Sequence, residues 1–415
     1  MKSSPGKPTR LFHRILYWWP VVILPLVAVL CVLLAFRVVD SLNYHHNDND
    51  FFTFWLAGHL VASGGNPYAT EQWVSSYLQF EMDVIPNNTF LYPLPLAVLL
   101  APLGLLPLHT AYVLWLTLLQ WMILAALGLL LGFRNGLHLK YLIPLLAGLI
   151  LFRPTTLTLV QGQMSGLILL ILVLAALLME KDRWGWSGAL LSLLTLKPNL
   201  GLPIGFLLLI WLLSRKKFAP LLGILAGSLI LLILGLLQNP HWLADYWGIG
   251  STKLAETFGG SPTVWGLATL LFGTHSLYVV FAGSAATCIL VGGIIWLLVC
   301  PRGLPPLDAF ALAISGTLLV TPYTWTYDQL LLLIPIAFVT FALGERRRGF
   351  LPAAMLFVGI DILSIFLLFF NTVLNVEILN AFIPLAVLGF VIWMLLRKSV
   401  SHKWSLAAAI ADHSL

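Results

Sequence analysis

Long apolar runs separated by short charged breaks dominate the chain. They fall at about 15–37, 110–133, 139–156, 164–180, 218–237, 276–299, 307–324, 327–343, 349–370 and 378–397. A helix needs about 20 mostly apolar residues to cross a bilayer, so each run is predicted to be a membrane helix. The segment between Glu180-Lys181-Asp182-Arg183 and Ser214-Arg215-Lys216-Lys217 has to go out and back. It is predicted as two short helices broken at Lys197-Pro198-Asn199, a break tolerated at membrane depth where it faces protein or a cavity. The expectation is an all-α polytopic membrane protein of about 12 transmembrane helices plus outer-face juxtamembrane helices. It forms one membrane-embedded domain over 1–415.

Charge sets the orientation. From Arg37 to Arg134 no Lys or Arg intervenes, while Asp40, Asp48, Asp50, Glu71, Glu81 and Asp83 do. Basic residues mark cytoplasmic loops, so 38–109 is read as a first outer loop and 238–275 as a second, with both termini cytoplasmic. The plasma (inner) membrane is the expected location. The first apolar run is too long for a signal-peptide core and is read as a retained anchor. Within the first loop, 50–63 is predicted as a short helix with Asp50 at its N-cap and Gly64-Gly65 at its end. Phe51, Phe52, Phe54 and Trp55 suit the headgroup layer. A second surface helix is predicted over 71–82. The run 92–106 is short and carries Pro93, Pro95 and Pro102, with Pro107 just beyond; charge parity makes it a re-entrant or surface hairpin. The segment 263–272 is expected to lie on the membrane.

Composition narrows the class. Of 415 residues, 60% are hydrophobic and 9% charged, against about 25% charged in soluble domains. The net charge of +6 sits in the short loops and gives no reason to expect a nucleic-acid partner. Cys31, Cys288 and Cys300 lie in or beside apolar runs and make neither a disulfide framework nor a metal spacing. Phosphate-cradling glycine motifs are absent.

Polar residues near the predicted outer face are few: Asp48, Asp50, Asn66, Tyr68, Tyr92, Arg153, Gln161, Gln163, Lys197, Asn199, Tyr323, Tyr327 and Asp328. Coming from distant parts of the chain to one membrane level, they suit a lateral cavity. Ionisable groups at such depth are costly and usually functional. Each also has a plain reading: Asp50 as a helix cap, Lys197 snorkelling, Arg153 anchoring a helix end, Gln163 capping, the tyrosines as belt or packing groups.

The order of Asp50-Phe51, Phe54-Trp55, Gly65-Asn66-Pro67-Tyr68, Leu91-Tyr92-Pro93-Leu94-Pro95, Gly162-Gln163, Leu196-Lys197-Pro198 and Pro322-Tyr323…Tyr327-Asp328 resembles glycosyltransferase family 87. That family includes polyprenyl-phosphate-mannose-dependent mannosyltransferases. The resemblance implies a GT-C fold, a lipid-linked sugar donor and an acidic general base in the first outer loop, the position of Asp50. It departs where some members carry a His and this chain has Tyr327-Asp328. The implied reaction moves a hexose, mannose first, from a polyprenyl phosphate to a lipid or glycan hydroxyl on the outer face. An inverting transfer needs one carboxylate to take the acceptor proton. Lys197 or Arg153 would meet the leaving phosphate. Asn66, Tyr68, Tyr92, Gln163, Tyr327 and Asp328 complete the expected substrate-binding set.

Asp48-Asn49-Asp50 has the Asp-x-Asp form that elsewhere holds a divalent metal. With no nucleotide diphosphate to bridge, no cofactor is expected, and a metal on Asp48 and Asp50 is the lesser alternative. The competing class is a secondary transporter or lipid flippase, since broken helices also build transport sites. It would hold its polar cluster at mid-depth between related halves. A non-catalytic membrane subunit is a third possibility.

Overall fold

The computed structural model describes residues 10–42, 49–80, 90–132, 148–149, 151–257, 260–274, 276–300, 303–344, 350–374 and 377–412. Asp48, the basic residues Arg134, His138 and Lys140 and most of the predicted 139–156 run lie outside them.

Among the described residues there are helices and no strands. The first half holds α1 (Arg10–Ser41), α2 (Asp50–Ala62), α3 (Thr70–Gln79), α4 (Leu94–Gly104), α5 (Leu108–Gly132), α6 (Arg153–Val160) and α7 (Ser165–Glu180). Then come α8 (Trp184–Ser192), continued as a 3-10 turn over Leu193–Leu196, and α9 (Pro198–Ser214), α10 (Ala219–Gln238), α11 (Trp242–Thr257), α12 (Val264–Phe272) and α13 (Leu277–Val299). The last part holds α14 (Pro306–Val320), a 3-10 stretch over Thr326–Leu332 running into α15 (Leu333–Gly344), α16 (Phe350–Leu374), a 3-10 turn at Ile378–Ala381 and α17 (Phe382–Asp412).

Among the described residues six helices are long and apolar enough to cross a membrane, or seven if α6 and α7, bent by 120°, count as one broken span. Five shorter apolar helices accompany them. The described residues thus support a multi-pass helical membrane protein without fixing the span number at about 12. The predicted 307–324 run is a helix only to Val320; Thr321–Trp325 leave helical geometry and carry polar groups instead.

The segment Thr326–Leu343 is almost entirely buried, and every residue of α14 from Asp308 to Val320 is buried beside it. These form the protein-facing centre. The outward faces of α1, α10, α13 and α16 carry exposed Leu26, Leu30, Leu222, Leu225, Phe281, Ile289, Phe366 and Phe369, the composition of a surface that meets lipid tails.

Two helix pairs depend on glycine. In α8–α10, Gly223 and Gly227 are spaced as GxxxG, and a Cβ on Gly223 would overlap the backbone of Gly185; small residues let helix backbones approach this closely. In α2–α4, a Cβ on Gly58 would stand 2.6 Å from the Leu100 carbonyl oxygen, and one on Gly104 would overlap the His59 backbone. Trp55 Nε1 donates to Leu106 O at 3.0 Å, and His59 Nδ1 lies 2.9 Å from Gly104 O. The helix α4 has 11 residues, about 16 Å at 1.5 Å per residue, half of a hydrocarbon core. Gly104→Ala is expected to force this pair apart and cost about 1–3 kcal/mol, read as a lowered Tm in detergent; an unchanged Tm would show that the α2–α4 contact yields freely.

Two expectations are corrected. Asp50 is not the N-cap: Asn49, extended at φ −93°, ψ 159°, accepts from Phe52 N at 2.9 Å and makes Asp50 the first helical residue. Phe51, Phe52, Phe54 and Trp55 are each at most 3% exposed and do not face the headgroup layer. They pack on Tyr112, Tyr77, Tyr92 and Phe80 respectively, because α3, α4 and α5 close over α2 from several sides.

Candidate active site

The site begins at the bend between α6 and α7. Gly162 takes φ +63°, a left-handed value open to glycine. A Cβ there would meet the Phe51 side chain at 2.5 Å. Tyr112 Oη donates to Val160 O and Trp115 Nε1 to Gly162 O, both at 2.7 Å, so α5 holds the bend rigid. Phe51 N donates to Gln161 O at 3.1 Å, and its ring stacks on Tyr112 with centroids 4.4 Å apart. These contacts fix the N-terminus of α2 on the bend and place Asp50 there.

Asp50 is half-buried. At the first position of α2 its carboxylate lies at the positive end of the helix dipole. It is close enough for its charge to act on the phenols of Tyr92, Tyr112 and Tyr327.

Tyr92 and Tyr327 also meet a closed polar cluster. Lys197, set on the break between the Leu193–Leu196 turn and α9, is paired directly with Asp328 Oδ1. It also donates to Gln163 Oε1 at 2.9 Å and is 3.4 Å from Ser165 Oγ. Ser165 Oγ donates to Asp328 Oδ1 at 2.8 Å; Thr324 Oγ1 at 2.9 Å and Trp325 N at 3.2 Å donate to Oδ2. Gln163, Lys197 and Asp328 are 0%, 2% and 0% exposed. Rather than lining an open cavity, these three form a satisfied floor, as a buried ion pair requires. Lys197 Nζ stands 5.1 Å from the Tyr327 ring centroid.

Gln163 Nε2 donates to Tyr92 Oη at 3.2 Å, linking the floor to the residues around Asp50. Burial first, then the Asp50 carboxylate, pushes the Tyr92 phenol well above its usual range. Tyr68 Oη donates to Tyr92 O at 2.7 Å. Burial likewise raises Tyr68 and Tyr323.

The other predicted residues divide. Asn66 is a tie between loops: its Oδ1 accepts from Tyr68 N at 3.0 Å, and its Nδ2 donates to Asp245 Oδ2 at 3.2 Å. Asn239 Nδ2 donates to the same oxygen at 3.0 Å, so the segment after α10 is fastened to the segment after α2. Arg153 opens α6, with Nη2 3.9 Å from Glu377 Oε1. Thr158 Oγ1 donates to Tyr327 O at 3.1 Å, laying α6 along the 326–332 stretch.

Sequence reasoning did not pick out Ser165, Thr324, Thr326, Asp245 as a tie, or Glu377. Glu377 Oε2 accepts from Thr326 Oγ1 at 2.6 Å, and Asn380 Nδ2 donates to the same hydroxyl at 2.6 Å. A lone carboxylate between the last two long apolar runs was the available signal for Glu377. The hydroxyls gave none, since Ser and Thr are ordinary in membrane helices. Among the described residues no group of three or more His, Cys, Asp or Glu could hold a metal ion.

The sequence model of glycosyltransferase family 87 matches residues 90–322, more than half of the chain. The chain belongs to glycosyltransferase family 87. This family 87 protein is therefore a membrane glycosyltransferase, which sets aside the transporter and subunit readings. The match includes Tyr92, Arg153, Gln163 and Lys197, while Asp50, Asn66, Tyr68, Tyr327 and Asp328 lie outside it. No curated protein matches significantly. No solved structure matches significantly either.

Proposed function

We propose that this family 87 transferase moves a hexose, mannose first, from a polyprenyl-phosphate donor to a hydroxyl of a lipid or glycan acceptor. Transfer takes place at the outer face of the plasma membrane. Asp50 takes the acceptor's proton as its oxygen attacks the anomeric carbon. The bond from that carbon to the phosphate oxygen breaks, and polyprenyl phosphate leaves with the bonding electrons. Attack from the opposite face inverts the anomeric centre. One base suffices because a phosphate leaves without needing a proton.

The observation that carries this reading is the placement of Asp50. It is a half-buried carboxylate fixed by Asn49 and the Gln161 carbonyl, within electrostatic reach of Tyr92 and Tyr327. The other carboxylate of the cluster, Asp328, is engaged by Lys197, Ser165, Thr324 and Trp325. That arrangement suits single-base transfer rather than the paired carboxyls of a hydrolase.

The test is transfer by purified protein in lipid nanodiscs, supplied with labelled polyprenyl-phosphate mannose and a membrane lipid extract, with the product's anomeric configuration read by NMR. Inversion is expected, with a rate unaffected by EDTA. Retention would remove the single-base mechanism. Loss of activity on chelation, restored by a divalent ion, would install the metal alternative on the Asp48-Asn49-Asp50 segment. Transfer from other sugar phosphates but not mannose would redirect the donor assignment.

A further inference from the structure

Two cations belong to the predicted site, Lys197 and Arg153, and their surroundings differ. Lys197 has its charge balanced by Asp328, and its ammonium reaches three oxygens, as many as it has protons to give. Among the described residues Arg153 has one partner, Glu377, at 3.9 Å, beyond hydrogen-bond length. Its Nη1 is buried with no hydrogen-bond partner among the described residues. In the same first turn of α6, the Thr155 hydroxyl is also buried without a partner, in a residue 8% exposed. Buried donors without acceptors are costly, and a guanidinium left short of them at membrane depth is a place for an anion. The helix N-terminus itself favours negative charge.

The surroundings tie this place to the transfer site. α6 runs from Arg153 to the Gln161 carbonyl that holds Phe51, and Thr158 bonds the Tyr327 carbonyl between them. Glu377 reaches across to Thr326, the neighbour of Tyr327.

We infer that Arg153, with the Thr155 hydroxyl and the α6 N-terminus, receives the phosphate of the lipid-linked donor, and that Glu377 holds the guanidinium in place until the phosphate arrives. Lys197 then acts as a positioning residue, holding Gln163 and Asp328 below the reacting groups. This assignment rests on the polyprenyl-phosphate reading above. The donor's phosphodiester carries one negative charge and gains a second as the sugar departs, and its two free oxygens pair with guanidinium nitrogens two at a time, against a single long carboxylate contact at 3.9 Å.

The test is equilibrium binding in nanodiscs of a sugar-free polyprenyl phosphate and of the matching polyprenol, by wild type, Arg153→Ala, Glu377→Gln and the double variant Lys197→Met/Asp328→Asn. The double variant removes both buried charges together, so no unpaired ion is left. Wild type is expected to prefer the phosphate. Arg153→Ala should lose that preference by 10-fold or more with polyprenol binding unchanged. Glu377→Gln should bind the phosphate several-fold tighter, since a Gln still accepts from Thr326 without competing for Arg153. The double variant should keep the preference. Full preference in Arg153→Ala, or its loss in the double variant alone, overturns the assignment of Arg153. A wild type that prefers neither lipid removes the phosphate-donor reading itself, and this inference with it.

Discussion

Asp50→Asn abolishes most sugar transfer, by about 10²–10⁴-fold, the usual worth of a positioned general base. The substitution keeps the side chain's size and its place at the first turn of α2. Asn49 still caps the helix through Phe52 N, and Phe51 N still reaches Gln161 O. The ability to take a proton is lost, together with the negative charge at the α2 N-terminus. The loss should therefore appear in kcat with donor binding unchanged, and the Tm should stay within about 0.5 kcal/mol equivalent of wild type, as for substitutions that remove no packing. Asn49→Ala separates position from chemistry. It removes the cap at a cost of about 1 kcal/mol and leaves the carboxylate, so it should slow transfer far less. Equal rates for wild type and Asp50→Asn would take residue 50 out of the chemistry and send the search to the remaining carboxylates near the site.

The second large effect is on stability. Lys197→Met strips Asp328 of its counter-charge while the carboxylate stays buried, and breaking such a pair costs about 3–5 kcal/mol. Against a typical domain stability of about 5–15 kcal/mol, that is enough to lower the Tm sharply or prevent recovery from the membrane. Asp328 sits at the centre of contacts from α7, the 321–325 loop and the α8–α9 break, so three separate segments loosen together. Adding Asp328→Asn to Lys197→Met removes the stranded charge and should restore most of the lost stability. Thermal unfolding in detergent, followed by tryptophan fluorescence across wild type, both single variants and the double, measures this coupling. If the double variant is as unstable as the sum of the singles, the two residues act independently and the pair is not what fastens the floor.

Much of the architecture was legible because it follows from the chain alone. Helix ends fell where local chemistry placed them: Gly64 at φ +80° after α2, the Lys197-Pro198 break before α9, and the apolar segment Val264–Phe272. The placement of the aromatics was not legible. Phe51, Phe52, Phe54 and Trp55 read as interfacial rings because amphipathic aromatics favour headgroups; only packing by α3, α4 and α5 turned them inward. The offset between Asn49 and Asp50 at the α2 cap is one residue, and both types cap helices well. The backbone angle at Asn49 decided it.

For the site, sequence alone assembled the right kinds of residue and could not assign their partners. Lys197 and Arg153 are both isolated cations in apolar surroundings, and nothing in one dimension distinguishes them. Asp328 lies 131 positions from Lys197, and Glu377 lies 224 from Arg153. What the sequence settled by itself is that this is a multi-pass helical chain with its sparse polar groups concentrated at a few breaks, because hydropathy and helix signals act over a turn or a bilayer width. Which cation is neutralised, which keeps an unspent donor, and which carboxylate stays half-exposed were decided by tertiary structure. Those outcomes depend on distances of a few ångströms between segments that the chain itself keeps far apart.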